Sequence, residues 1–188
     1  MSAPRTLVVF YSRSGTTRRI AKALSTALEC GIEEIAESTP RNGFIGYCRS
    51  VIEARRKSTP DILPPRNDPS SFDLVVIGTP VWAWSVASPV RAYLAANKDR
   101  FPDVAFFCTL GGNGSETVFA QMQAIIGKAP RATCAIVAKD VGTSREGPQL
   151  TPFATLLRQL ASESPLLKKP RTSSTKPLRC NCKKRAGG

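Results

Sequence analysis

The alternation of apolar and polar positions predicts a chain in which strands and helices follow one another. Most of the short runs are almost continuously apolar, which is typical of strands buried on both faces of a parallel sheet. One run, at residues 32–36, is more polar, as expected near a sheet edge. In chain order, the predicted strands cover residues 7–11, 32–36, 74–77, 104–108 and 134–138.

Between these strands, apolar residues recur at helical offsets, as in Ile20, Leu24 and Leu28. Further helices are predicted over residues 43–56, 86–96 and 118–126. A last helix is predicted to open at Thr151, a suitable N-cap, with Pro152 as its first helical residue. The pattern indicates an α/β fold with helices on both faces of a parallel sheet. Ligands of such sheets bind at the carboxyl ends of the strands. The loops after predicted strands one, three and four are therefore the expected ligand-binding loops.

The first loop joins a strand directly to a helix and is rich in hydroxyl groups. Its residues are Ser12, Arg13, Ser14, Gly15, Thr16 and Thr17. The unpaired N–H groups and the positive dipole end of the helix favour an anion there, most often phosphate. The loop has neither the lysine of a nucleotide-hydrolysing P-loop nor an acid for magnesium, so we expect it to hold a phosphate without transferring it. An ordinary capped turn is the alternative.

The second and third loops offer an aromatic surface and bare backbone. The second, Pro80, Val81, Trp82, Ala83 and Trp84, carries both tryptophans of the chain, which suits a planar aromatic ligand. The third, Thr109, Leu110, Gly111, Gly112, Asn113 and Gly114, is glycine-rich, so its backbone can approach a ligand. The alternatives are tryptophans that pack on the sheet edge and a flexible turn before a helix.

Composition divides the chain of 188 residues, whose net charge is +13, into two parts. Every charged residue after Glu163 is Lys or Arg, and this stretch has little apolar surface to bury. We therefore expect one folded domain over residues 1–166 and a basic disordered tail over 167–188. The tail either improves solubility or contacts nucleic acid or another anionic surface. Its Cys180 and Cys182 lack further ligands nearby, and no metal site is predicted.

The N-terminus lacks the layout of a signal peptide, and no stretch has the length of apolar residues that a membrane helix needs. We therefore expect a cytoplasmic protein without membrane insertion. The chain contains no histidine, which removes the commonest general base. No catalytic side chain is predicted, and a bound cofactor is expected to carry any reactivity.

The segments SRSGTT, TPVWAW and TLGGNG, in this order after predicted strands one, three and four, resemble the flavodoxin-like family. The resemblance covers about residues 5–160. It implies a flavodoxin-like three-layer sandwich with a five-stranded parallel sheet of order 2-1-3-4-5. It also implies flavin mononucleotide (FMN), with its phosphate in the first loop and its ring between the second and third loops. The peptide between Gly111 and Gly112 is the implied candidate for reorientation near flavin N5.

Two features depart from typical flavodoxins. The third loop has no aromatic residue where many flavodoxins stack a tyrosine on the flavin, so one ring face is open or is covered by Trp82 or Trp84. The chain is basic where typical flavodoxins are acidic, so a protein partner is expected to present an acidic surface. Arg13 either neutralises the phosphate or points to solvent.

Two functions follow from the resemblance. The first is an FMN-binding redox protein that carries electrons. The second is an FMN-dependent reductase that takes hydride from NAD(P)H and passes electrons to a quinone-like acceptor. A signalling receiver and a low-molecular-weight phosphatase are disfavoured, because the first loop and strand ends lack the acids of the former and the cysteine of the latter. Nucleic acid is expected, if at all, only through the tail.

Overall fold

The fold is seen in a computed structural model that describes residues 5–37 and 61–163. The helix predicted over residues 43–56 and the tail predicted over 167–188 lie outside the described residues. The predicted boundary between the folded domain and the tail, at residues 166 and 167, lies outside them too. In the described part of the chain, no helix combines the length and apolar character of a membrane span.

The described strands form one parallel sheet with a short antiparallel addition. The strands are β1 (Thr6–Phe10), β2 (Gly31–Glu34), β3 (Leu74–Trp82), β4 (Ser85–Val86), β5 (Asp103–Leu110) and β6 (Thr133–Val137). The parallel strands are ordered β2-β1-β3-β5-β6, and β4 pairs with β3 alone, antiparallel. Counted without β4, this is the predicted order 2-1-3-4-5, so the predicted fold class is confirmed.

Four described helices cover the two faces of the sheet: α1 (Thr16–Leu28), α2 (Ser88–Asn97), α3 (Ser115–Ile126) and α4 (Glu146–Glu163). Side chains of β1 alternate between the faces, as the pleat of a strand requires. Leu7 and Val9 join the core under α2 and α3, and Val8 and Phe10 join the core under α1 and α4. The helices contribute Val90, Tyr93, Leu94, Val118 and Met122 to the first core and Ile20, Leu24, Phe153 and Leu157 to the second.

The predicted start of the last helix at Thr151 is wrong, because α4 begins at Glu146 and contains Pro152 inside it. Pro152 has no N–H to donate to the preceding turn, which by itself favours a helix end. However, Leu150 on one side of Pro152 and Phe153 on the other are both buried in the core. Burial on both sides of the proline keeps this stretch helical despite the missing hydrogen bond.

The described cysteines lie in or beside the two hydrophobic cores. Cys108 is completely buried in β5, and burial raises the pKa of its thiol to about 12. Burial likewise raises the pKa of Cys30 and that of Cys134 to about 11. These thiols are therefore uncharged near neutral pH.

Candidate functional site

The three predicted loops meet in one cavity at the carboxyl ends of β1, β3 and β5. Its volume is about 140 Å³. Each loop contributes to its wall, and Ala138 after β6 closes one side. The loop residues in the wall are Arg13, Ser14, Thr16, Thr17, Pro80, Val81, Trp82, Thr109, Leu110 and Gly111. The other predicted site residues, Ser12, Gly15, Ala83, Trp84, Gly112, Asn113 and Gly114, lie in the same loops but outside the wall of the cavity.

The first loop presents the uncapped N-terminus of α1 to this cavity. Gly15 is the N-cap, with a left-handed φ of 90°, and no side chain within the described ranges caps the helix. The first turn of α1 also contains no acidic residue. The N–H groups and dipole of this turn therefore remain available to an anion.

The hydroxyls of the first loop have different roles. Ser12 is buried, and its Oγ accepts a hydrogen bond from the Gly15 N–H at 3.1 Å, so it shapes the loop. Ser14 Oγ and Thr16 Oγ1 lie 3.3 Å apart on the cavity wall. They are the hydroxyls best placed to meet a ligand oxygen.

Thr17 ties the first loop to the third. Its Oγ1 lies 2.7 Å from Thr109 Oγ1, and both side chains are buried. Two buried hydroxyls that satisfy each other hold α1 against the end of β5. This bond fixes the spacing of the two loops on either side of the cavity.

The second loop is largely strand, so the predicted strand end at residue 77 is wrong. β3 continues through Pro80, which pairs with Thr109, and reaches Trp82. Only Ala83 and Trp84 form the turn of the β3–β4 hairpin, with φ values of 48° and 56°. Positive φ at both central positions is typical of a type I′ hairpin turn, and residues other than glycine adopt it at a cost of about 1–2 kcal/mol each.

The two tryptophans have different environments. Trp82 is 9% exposed and lies on the cavity wall, with its ring edge-on to Tyr11 at 5.7 Å between ring centroids. Trp84 is 61% exposed and packs against Gly114 of the third loop. Trp82 is therefore the aromatic wall of the cavity, whereas Trp84 covers the base of the third loop.

The third loop offers exposed backbone beside this aromatic wall. Gly111 and Gly112 are exposed, and a Cβ added to either would meet no atom within 4 Å. Gly114 is different, because it has a φ of 104° and a Cβ there would lie 2.7 Å from Trp84 Cδ1. Space beside Gly111 and Gly112 is thus available to a flat ligand larger than the cavity itself.

Sequence reasoning missed a polar cluster behind the hairpin, formed by Ser85, Arg91 and Gln121. Arg91 belongs to α2 and Gln121 to α3, and both hydrogen-bond to the hairpin. Arg91 and Gln121 each lie among apolar residues of their helices. A polar residue that interrupts an apolar stretch of a helix was the sequence signal that could have identified them.

A larger cavity of about 520 Å³ lies beside β2, at Tyr93 and residues 62–67. Its wall includes the carboxylates of Glu33, Glu34 and Glu37 and contains no helix N-terminus of the described residues. Negative charge at this wall opposes an anionic ligand. The smaller cavity is therefore the better candidate site for a phosphate, although it is not the largest.

The sequence matches the family model for flavodoxin over residues 5–134. No curated protein matches the chain significantly.

Among solved structures, the chain is similar to a flavoprotein in complex with FMN from Lactobacillus acidophilus NCFM. The two are 23% identical, with a TM-score of 0.63 over 74% of this chain and 97% of that one. A proposed flavoprotein from Bacteroides uniformis ATCC 8492 is 20% identical, with a TM-score of 0.68 over 82% and 99%. Oxidised flavodoxin 2 from Bacillus cereus is 12% identical, with a TM-score of 0.54 over 82% and 98%.

Proposed function

This chain belongs to the flavodoxin family, and we propose that it binds FMN at the three-loop cavity and carries electrons through it. The observation that carries the proposal is the uncapped N-terminus of α1, which faces a cavity shared by the first, second and third loops. Membership of the family supports FMN as the cofactor, and this arrangement of the loops supports the position that we propose for it.

The first loop fits the phosphate of FMN. The hydroxyls of Ser14 and Thr16 lie on the cavity wall and can donate to phosphate oxygens together with the N–H groups of the first turn. Hydrogen bonds to a charged group are each about twice as strong as neutral ones. Arg13 is exposed at the same wall and adds positive charge there.

The second and third loops fit a flat ring. Bound FMN supplies the electron-transfer chemistry, and the chain supplies its binding and orientation. Trp82 gives the ring an aromatic wall that is fixed by Tyr11. Gly111 and Gly112 leave room for the ring edge, because no Cβ occupies that space. The Thr17–Thr109 bond keeps the phosphate end and the ring end at a constant separation.

Titration of the purified protein with FMN and with riboflavin tests this proposal. Flavin absorption and fluorescence report binding, and riboflavin lacks the phosphate. We expect FMN to bind at least about 100-fold more tightly, since loss of two charge-assisted hydrogen bonds costs about 3 kcal/mol or more. A protein that stays colourless with FMN would contradict the proposal. Equal affinity for the two flavins would contradict the position of the phosphate.

The exposed third loop favours a second candidate, an FMN-dependent NAD(P)H:quinone-type reductase. Gly111, Gly112 and Asn113 are exposed and carry no ring, which leaves a flavin face accessible to a substrate. Oxidation of NAD(P)H by the FMN-loaded protein with a quinone would support this enzyme. Electron transfer to a protein acceptor without NAD(P)H oxidation would support the carrier.

For the carrier we propose a redox partner with an acidic surface. Lys139 is exposed directly after Ala138 of the cavity wall, and the chain carries a net charge of +13. Opposite charge on the partner would speed their encounter, and added salt would slow it. Lys139→Glu should slow electron transfer to such a partner. Lys98→Glu, at the far end of α2, is the matched control and should not.

A further inference from the structure

A buried positive charge lies directly behind the β3–β4 hairpin. Arg91 of α2 is only 7% exposed. Its Nη2 donates hydrogen bonds to Ser85 Oγ and to Gln121 Oε1, both at 3.0 Å. Its Nε is buried and has no hydrogen-bond partner in the described part of the chain. The guanidinium is thus held on one side only.

Gln121 joins this charge to the hairpin backbone. Besides the Arg91 bond, its Oε1 accepts hydrogen bonds from Ser85 Oγ at 2.9 Å and from the Val86 N–H at 3.2 Å. Its Nε2 donates to the Trp84 carbonyl at 3.3 Å. One side chain from α2 and one from α3 therefore hold the second half of the strained two-residue turn and the strand that follows it.

Among the residues that the structure describes, no carboxylate neutralises the charge of Arg91. No ion pair among residues 5–37 and 61–163 includes it. Burial lowers the pKa of the guanidinium, but arginine remains protonated in proteins. A buried cation that is held only by neutral hydrogen-bond acceptors is unfavourable, and a negative charge nearby stabilises it.

Arg91 is connected to the candidate site through the pairing of β4 with β3. Ser85, which accepts from Arg91, is the register partner of Trp82 across the hairpin. Trp82 in turn lies on the cavity wall. A ring bound against Trp82 would therefore be close enough to interact electrostatically with Arg91 through the buried, low-dielectric part of the protein.

We propose that Arg91 is a positioning residue that holds the tryptophan hairpin and, through its unpaired charge, makes the site favour reduced over oxidised FMN. This inference rests on the proposed binding of FMN. Two electrons from a donor and a single proton from solvent leave the reduced ring with one negative charge more than the oxidised ring. A nearby fixed cation stabilises that added charge and so raises the reduction potential.

The expected size follows from Coulomb's law. Two unit charges about 10 Å apart, at an effective dielectric constant of about 20, change a binding constant by roughly tenfold. Removal of the charge should therefore weaken binding of reduced FMN about tenfold relative to oxidised FMN. For a two-electron couple that ratio corresponds to a fall of about 30 mV in the midpoint potential.

Spectroelectrochemical titration of FMN-loaded variants tests the inference. Arg91→Met removes the charge and keeps the length of the side chain. Gln121→Glu keeps Arg91 and gives it a carboxylate, which neutralises it and provides a second route if Arg91→Met does not fold. Arg91→Lys keeps the charge, and Lys98→Met removes an exposed charge from the far end of α2.

We expect the midpoint potential to fall in Arg91→Met and in Gln121→Glu and to stay near the wild-type value in Arg91→Lys and Lys98→Met. Potentials unchanged in Gln121→Glu and in any folded Arg91→Met, with FMN still bound, would overturn the role of Arg91 and leave the proposed function intact. An equal fall in Arg91→Lys would show that geometry, and not charge, sets the potential, and would also overturn the inference. Wild-type protein that does not bind FMN would overturn both proposals.

Discussion

The hydroxyls of Thr17 and Thr109 lie 2.7 Å apart, and through them the first turn of α1 is bonded to the end of β5. Both residues are buried, at 1% and 5% exposure, and they are 92 positions apart in the chain. Neither hydroxyl has another hydrogen bond in the described residues. This contact therefore joins the loop at the start of α1 to the glycine-rich loop after β5.

Replacing one of these threonines should destabilise the fold more than replacing both. Thr17→Val or Thr109→Val leaves the remaining buried hydroxyl unpaired, which costs about 1–3 kcal/mol. The double variant removes both polar groups at nearly constant shape and should cost less than either single variant. Urea unfolding of the four proteins in a double-mutant cycle measures the coupling. Additive losses would show that the two hydroxyls do not depend on each other.

Loss of the outer hydroxyls of the first loop should weaken FMN binding. Ser14→Ala with Thr16→Ala removes two donors to the phosphate, each worth roughly 1.5–3 kcal/mol if charge-assisted. The dissociation constant from fluorescence titration should therefore rise at least about 100-fold. The stability of the apoprotein should change little, because these hydroxyls are on the cavity wall and, among residues 5–37 and 61–163, bond only to each other.

The start of α3 offers a matched control for that variant. It also follows a glycine N-cap with positive φ, and Ser115 and Thr117 place two hydroxyls in its first turn. Neither lies on the cavity wall, and Glu116 between them opposes an anion. Ser115→Ala with Thr117→Ala should leave FMN affinity unchanged. A similar loss in both double variants would mean that the phosphate is not held specifically at α1.

Much of the sheet and the position of the loops could be predicted because they depend on local patterns. The continuous apolar run at the start of the chain and the helical spacing of Ile20 and Leu24 are visible in the sequence alone. The order of the strands then brings the three loops to one edge. That is why the cavity contains residues from each predicted loop.

The parts that could not be predicted depend on partners distant in sequence. Pro80 suggests a strand end, but its pairing with Thr109 on the neighbouring strand keeps β3 extended. Pro152 suggests a helix start, but core contacts on both sides keep the helix continuous through it. Arg91 resembles an ordinary surface charge until α3 supplies Gln121 as its acceptor.

Two glycines of the third loop should respond to alanine in opposite ways. Gly114→Ala adds a Cβ 2.7 Å from Trp84 Cδ1 at a position with positive φ, so the fold should lose about 1–3 kcal/mol and Trp84 fluorescence should change. Gly111→Ala meets no atom within 4 Å, so stability should stay nearly constant. If the flavin ring lies over the third loop, Gly111→Ala should instead lower FMN affinity. Unchanged affinity would place the ring elsewhere.

The buried thiol of Cys108 should make the fold less stable at alkaline pH. Burial raises the pKa of this thiol from 9.0 to about 12, so in that interval the unfolded chain loses a proton that the folded chain keeps. Because the folded state then binds more protons, stability falls as the pH rises above 9. Between pH 7 and pH 10 this one group should remove roughly 1 kcal/mol. Urea unfolding of the wild type and of Cys108→Val at both pH values measures the difference.

The wild type should lose more stability than the variant, since valine fills a similar space without titrating. Equal losses in the two proteins would show that the thiol does not contribute to the alkaline destabilisation.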